Sequence, residues 1–465
     1  MLGATEESVY SFSLVRCLGV LIADKAWGSA AVRRQAVLFN KERAEQYLTR
    51  YGLDALVLSL PVSVAYATEH QSSFETGFSN YMIFLGGRGG RFFRSFAVVS
   101  PRGERSLVVH TSLAATSYAG WTEGLEVYGG AGFDPQLVET VPQEMRPLAR
   151  RLASSTAERD PMEAVAAAVA ALAPGARRVG IEHVGLEPGD FEKLKRAVPQ
   201  SVELLDASML TRLIRMVKTD DEIERSARAA EITELGLNAL TNVAAPGVSV
   251  RELADVFRSV IGPNKADLEH VAVGPRGLGI ATPGPHVLRS DDVMMLDVGC
   301  LYRGCISDTG VTMALSPPGP QVEEEYATLL TCLETGAEKL RPGQHVFDVY
   351  KGMRAVVDGT AVADSQPQGH GLGQEPKELP FISAVDGQRL VDACVDLDAD
   401  VALEEGMVIN LELPLEVPGK RWFQIEQTFV IRSGGAEPIT AQDRSRIIIA
   451  GGGRGDGGQP ELRTT

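Results

Sequence analysis

Apolar and polar positions change spacing repeatedly along this chain. Residues 41–51 carry apolar positions at helical spacing, and 54–59 (DALVLS) form a short apolar run that predicts a buried strand. Residues 96–99 and 106–109 flank a Pro-Arg-Gly turn at 101–103 and read as a hairpin. An Ala- and Val-rich stretch over 161–173 predicts a helix ended by Pro-Gly, and 178–182 a further strand. This alternation predicts an α/β domain over 36–206, preceded by an N-terminal extension over 1–35.

A long helix is predicted to start at Thr219. Glu222 stands three residues on, as in a capping box, and Asp220 and Asp221 occupy the first turn, where the helix dipole favours acids. Residues 207–218 then form a linker and 219–450 a second domain. Inside that domain the pattern repeats. Pro246-Gly247 precedes Val250, Leu253 and Phe257, and Pro342-Gly343 precedes Val346, Val349 and Met353. Each helical unit is followed by apolar strands bearing two acids, VMMLDVGCLYRGCISDTGVTMAL (293–315) and GMVINLELPLEVPGKRWFQIEQTFVIR (406–432). Two such halves predict a pseudo-two-fold arrangement that gathers the acids. The Gly-rich stretch 451–465 reads as a disordered tail.

Those acids are out of place in strands. Asp297 follows four apolar residues, Glu412 lies inside VINLEL, and Glu426 inside FQIEQTFV. A carboxylate buried without a partner costs several kcal/mol. Asp308 lies across a hairpin from Asp297, so all four acids call for one explanation, and clustered carboxylates are neutralised by divalent cations. His370, in the Gly-flanked segment GHGLG (369–373), adds an imidazole with room for close approach. One imidazole and four carboxylates suit Mn, Fe, Co or Zn. Two such ions would polarise a substrate oxygen and generate hydroxide at neutral pH.

Composition narrows the classes. Hydrophobic residues at 44% and charged residues at 23% describe a globular chain with ample core. A net charge of −16, spread along the chain, argues against nucleic-acid binding, which needs clustered Lys and Arg. Cys17, Cys300, Cys305, Cys332 and Cys394 are odd in number and scattered, as expected of a reducing, cytoplasmic compartment. The N-terminal apolar stretch is broken by Arg16, Asp24 and Lys25 and does not read as a signal peptide, and no run of eighteen apolar residues predicts a membrane span.

The motifs resemble those of the superfamily of methionine aminopeptidases, Xaa-Pro aminopeptidases, prolidases and creatinase, over roughly residues 40–440. TRLIRMVKTDDEIERSARAAEI (211–232) is similar to the entry into that family's catalytic domain. LDVGCLYRGCISDTGVT is similar to its first acid hairpin, GHGLG to its histidine segment, and EEGMVINLE and FQIEQTFVI to its two Glu segments. The resemblance implies an α+β chain: a C-terminal pita-bread fold of duplicated halves behind an N-terminal α/β creatinase-like domain. It implies that Asp297, Asp308, His370, Glu412 and Glu426 hold two divalent metal ions, with Asp308 and Glu426 bridging. A homodimer is also implied.

The departures matter as much. Ala281 stands where the family's peptidases carry a His sixteen residues before the first Asp. Lys377, in KELP, replaces the His of HExP, and Gly310-Val311 replaces Thr-Arg. The implied function is a metal-dependent hydrolase or lyase that cleaves a C–N or other C–heteroatom bond in a small carboxylate-bearing molecule, as creatine hydrolases and dimethylsulfoniopropionate lyases of this fold have left peptide chemistry. The alternatives are an Xaa-Pro dipeptidase or aminopeptidase, or a non-catalytic binding protein. Lys377 and Glu412 are the candidate catalytic residues, and Lys377 and His286 the candidate substrate contacts. Strand packing accounts for Cys300 and Cys305, and a mobile loop for GGRGGR (86–91). His70, His110, His183, His270 and His345 read as core or surface histidines, and the RGD at 454–456 as coincidence.

Overall fold

Six of the short apolar runs assemble into one sheet. The computed structural model describes residues 38–72, 75, 81–83, 89–91, 93–117, 124–129, 133–154 and 159–451. The 1–35 extension, Cys17, Gly86 to Arg88, the RGD and the tail from 452 lie outside the described residues. The sheet runs Gly124–Tyr128, Arg105–His110, Phe96–Val99, Ala55–Leu58, Arg178–Ile181, Glu203–Asp206. Its centre pairs Ala55–Leu58 antiparallel with Phe96–Val99 and parallel with Arg178–Ile181. The helix Pro161–Leu172 starts at an Asp160–Glu163 capping box and lays Met162, Val165 and Val169 among Val57, Val98, Val108 and Val179. The expected hairpin forms, with Gly103 at φ 71° in its turn. Gly89–Arg91, expected in a mobile loop, is instead a short strand paired with Tyr81–Ile83, and Arg91 bonds to Glu187 at 3.1 Å.

The described residues from Leu38 onward form one compact unit. Arg43 donates to the Leu213 carbonyl (2.8 Å) and makes a two-pronged ion pair with Glu404, while Asn40 donates to the Val217 carbonyl (3.1 Å). The linker carries a helix of its own, Ser208–Arg215.

Beyond it the repeat takes physical form. The helices Asp220–Val243 and Val250–Ile261 pack together, as do Pro320–Lys339 and Val346–Val357. Thr219 and Glu222 make the expected capping box. Each Pro-Gly pair puts its glycine at positive φ, 94° for Gly247 and 84° for Gly343, where a side chain would be strained. Both glycines then donate to a leucine carbonyl, Gly247 to Leu288 (2.9 Å) and Gly343 to Leu403 (2.8 Å). The same bond in the same place in both halves is the mark of the duplication.

Each half closes on a sheet. The first holds Asp267–Pro275, Val293–Tyr302, Cys305–Ile306, Thr309–Ala314 and Ile448–Ile449. The second runs Glu378–Ile382, Gln368–Gly371, Val408–Val417, Arg421–Arg432, Gly435–Pro438. Strand periodicity sends alternate side chains to opposite faces. Met294, Leu296 and Val298 pack with the 220–243 and 250–261 helices, so Asp297 is left on the other face. That face meets the second half, where the Thr312 hydroxyl donates to the Gln424 carbonyl (2.9 Å) and accepts from the Gln424 amide (3.0 Å). This is the pita-bread architecture, and its seam is where the acids lie. No helix among the described residues is long and apolar enough to cross a membrane.

Candidate metal centre

All five expected residues reach the seam. Asp297 projects from the 293–302 strand and Asp308 from the turn before Thr309. His370 lies on the 368–371 strand, and Glu412 and Glu426 face each other across the 408–417 and 421–432 strands. Asp308, His370, Glu412 and Glu426 are buried, and Asp297 is half-buried.

The imidazole of His370 is held by its other nitrogen. Nδ1 donates to the Gly371 carbonyl (3.0 Å), because a carbonyl can only accept. Nε2 is thereby aimed at Asp308 Oδ2 (3.8 Å) and Glu412 Oε1 (3.6 Å), buried and without a hydrogen bond. A buried acceptor left unpaired is costly, and this one is a neutral imidazole lone pair facing carboxylates. Burial lowers its pKa, which favours the form that binds a metal. The acids tell the same story. Burial, then the charge of Asp297, pushes Asp308 up to about 8, and burial followed by Asp308 and Asp297 raises Glu426 well above the usual range. A set of crowded acids that resist ionising together, with a bare ring nitrogen among them, fits divalent cations.

Amides complete the surround. Gln424 Nε2 donates to Glu412 (3.3 Å) and Glu426 (3.2 Å), and Asn410 Nδ2 donates to Glu426. Gly310 explains one departure noted in the sequence. A Cβ there would stand 2.3 Å from Glu426 Oε2 and 2.4 Å from Gln424 Cγ. Gly310→Ala is therefore expected to displace the Glu426 carboxylate and weaken metal binding at least tenfold, read by calorimetric titration with Mn²⁺. Affinity equal to that of the parent protein would show that Glu426 can move without loss.

Lys377 stands at the rim. Its Nζ donates to Glu412 Oε1 (3.0 Å), and its side chain is 54% exposed. Burial opposes its charge, but Glu412 outweighs burial and the pKa is raised. His286 is exposed, and its backbone carbonyl accepts from Val250 (2.9 Å). Among the described residues no hydrogen bond or ion pair joins His286 to the five. Ala281 pairs back onto Val273 and packs on the core behind the first sheet. Cys300 and Cys305 are buried, Cys300 donating to the Ala229 carbonyl (3.3 Å), as strand packing predicts.

The expectation for His270 is overturned. It is no ordinary core or surface histidine: Nε2 donates to Asp297 Oδ1 (2.8 Å), lies 3.6 Å from Asp308 Oδ1, and Nδ1 donates to Glu269. One ligand atom from each of His270, Asp297 and Asp308 lies within 4.8 Å of the others. Burial works against its imidazolium, but Asp297 and Glu269 prevail and its pKa rises to about 11. The segment DLEHVAV gives no metal-ligand spacing. Only the pairing of the 267–275 and 293–302 strands sets His270 beside the acids.

Comparison with known proteins agrees with this geometry. Residues 224–433 match metallopeptidase family M24. The uncharacterized peptidase YqhT of Bacillus subtilis (strain 168) is 25% identical over 287 residues, 59% of this chain and 76% of the relative. An uncharacterized peptidase of Staphylococcus aureus (strain bovine RF122 / ET3-1) is 24% identical over 250 residues, 51% of this chain and 66% of the relative. Among solved structures, the Xaa-Pro dipeptidase from Bacillus anthracis superposes with a TM-score of 0.66 at 21% identity, covering 88% of this chain and 98% of that one. The prolidase from Pyrococcus horikoshii OT3 gives 0.63 at 18% identity, covering 87% and 98%.

Proposed function

We propose, from the match of residues 224–433 to metallopeptidase family M24 and from the prolidase-like fold, a two-metal hydrolase acting on a small, carboxylate-bearing substrate. On this reading Asp297, Asp308, His370, Glu412 and Glu426 would hold two divalent ions, Mn, Fe, Co or Zn. Bound there, the ions would polarise the scissile group and make water nucleophilic at neutral pH. Glu412, gripped by Lys377 and Gln424, holds the proton in transfer. We assign no role in the chemistry to His286. The reading includes a homodimer in the cytoplasm.

The observation that carries the substrate class is Lys377. Its half-exposed ammonium lies beside Glu412 at the rim of the acids, where it can pair with a carboxylate on the substrate. Lys377→Arg should keep part of the binding, and Lys377→Met should mainly raise KM. Loss of kcat in both would make Lys377 a base instead, since Arg does not deprotonate. Parent kinetics in both would remove it from the site.

A second reading is an Xaa-Pro dipeptidase with substituted helpers, favoured by the superposition on the Bacillus anthracis enzyme. Ala281 and Lys377 stand where that chemistry has histidines, and acid–base help from one side chain is worth ~10²–10⁴ in rate. We expect slow turnover on a panel of Xaa-Pro dipeptides. Rates of ~10 s⁻¹, ordinary for an enzyme, would favour the second reading.

A further inference from the structure

Each half sets an imidazole diagonally across from a strand acid, though at opposite offsets. In the second half, Glu412 faces Gln368 across the strands, and the imidazole stands two residues along, at His370. In the first half, Asp297 faces Ala272, and an imidazole stands two residues in the other direction, at His270, so the strand register and not the duplication brings it beside the acid. Residues two apart on a strand share a face, so each ring lies diagonally over the acid of the neighbouring strand. The cross-strand partner of His270 is Gly299. A Cβ on Gly299 would come within 2.7 Å of Cε1 and 2.9 Å of Nδ1 of His270. The lack of a side chain at 299 is what lets the ring lie down towards Asp297.

From this we infer that His270 is a sixth protein ligand, giving the ion held by Asp297 and Asp308 an imidazole of its own. The inference rests on the two-metal reading above. Glu269 takes the Nδ1 hydrogen, so Nε2 is the nitrogen turned to Asp297 and Asp308. A carboxylate behind one ring nitrogen with a metal ahead of the other is a recurrent way of fixing a histidine ligand. On loading, the proton on Nε2 leaves to solvent and its lone pair faces the ion. The ligand set would then offer one imidazole to each ion. An ion with one imidazole and several oxygens remains within the preference of Mn, Fe, Co or Zn.

The competing role is a counter-ion: an imidazolium that offsets the acids and is displaced by cations. The two roles have opposite signs. Full-length protein, stripped with a chelator, is titrated with Co²⁺ by calorimetry, and X-ray absorption of the loaded protein counts imidazoles. His270→Ala and His270→Asn should weaken one of two binding events at least tenfold, a tenfold change being about 1.4 kcal/mol. The count should fall from two imidazoles per two ions to one. Glu269→Gln, which keeps the ring, should weaken the same event by less, in line with the ~10–100-fold cost of losing a support behind a ligand. Two ions bound as tightly or more tightly in His270→Ala and His270→Asn, with an unchanged imidazole count, would overturn the inference and leave the five-ligand reading standing. A parent protein that binds no Co²⁺ would overturn both.

Discussion

Asp308→Ala and Glu426→Ala should each remove at least one of two bound ions and all hydrolytic activity, as read by metal analysis of the dialysed protein and by turnover. Asp308 comes from the first half and Glu426 from the second, and both lie in the seam with an unpaired imidazole nitrogen beside Asp308. Neither variant losing metal would refute the ligand assignment. A pH signature goes with it. Asp308 is pushed up to about 8 and Glu426 is also raised, so each keeps in the folded chain a proton that the unfolded chain releases near pH ~4. The folded state then binds more protons across that interval, and stability falls as pH rises from about 4 towards about 8. Chelator-stripped protein should therefore melt lower at pH 8 than at pH 5, and added Mn²⁺ should narrow the difference. A metal-stripped protein that gains stability over that range would contradict the arrangement.

Glu378→Ala should cost about 3–5 kcal/mol of stability, the usual loss when one member of a buried ion pair is removed. Glu378 accepts from Arg215 (2.5 Å), Lys218 (2.9 Å) and the amides of Gln374 (2.9 Å) and Glu375 (3.1 Å), with all three charged side chains buried. Burial alone would raise its pKa, but Arg215 and Lys218 outweigh burial and bring it down to about 2. Its stabilisation is therefore complete above the ordinary carboxylate range and fades as pH drops towards about 2. The variant strands the Lys218 ammonium and leaves the Arg215 guanidinium only its pair with Glu375 (2.9 Å), which is why truncation costs more than the intact cluster contributes. Thermal or denaturant unfolding checks it. A loss below ~1 kcal/mol, the scale of an exposed pair, would mean that water reaches Arg215 and Lys218. Glu378 adjoins Lys377, so Glu378→Ala should also disturb the position of that amine over Glu412.

Most of what positions the centre was legible because local chemistry and tertiary role coincide. Thr219 and Glu222 mark a helix start wherever they fall, and the structure has that capping box. Asp297, Glu412 and Glu426 were visible as charges in apolar strands, an anomaly that needs no knowledge of neighbours. His270 was not visible, since its partners are set by strand register: Asp297 lies 27 residues away, and Gly299 matters through its missing side chain. The buried cluster at Glu378 was hidden for the same reason, as Arg215 is 163 residues distant. Gly310 was seen only as a departure, and the closeness of Glu426 supplies its reason.

The seam between the halves has a bearing on how the chain matures during synthesis. Asp308 precedes Glu426 by 118 positions, so the strands carrying Asp297 and Asp308 leave the ribosome well before the surface that faces them. Until the 421–432 strand emerges, the first half presents a sheet face with two acids and no opposite wall. A cation captured at that stage would meet an incomplete shell and exchange freely with water. Tight retention would require the closed seam, in which Thr312 bonds to Gln424. On the two-metal reading, metal selection would thus fall to a nearly finished polypeptide, and the ion would be the last stitch between its two halves.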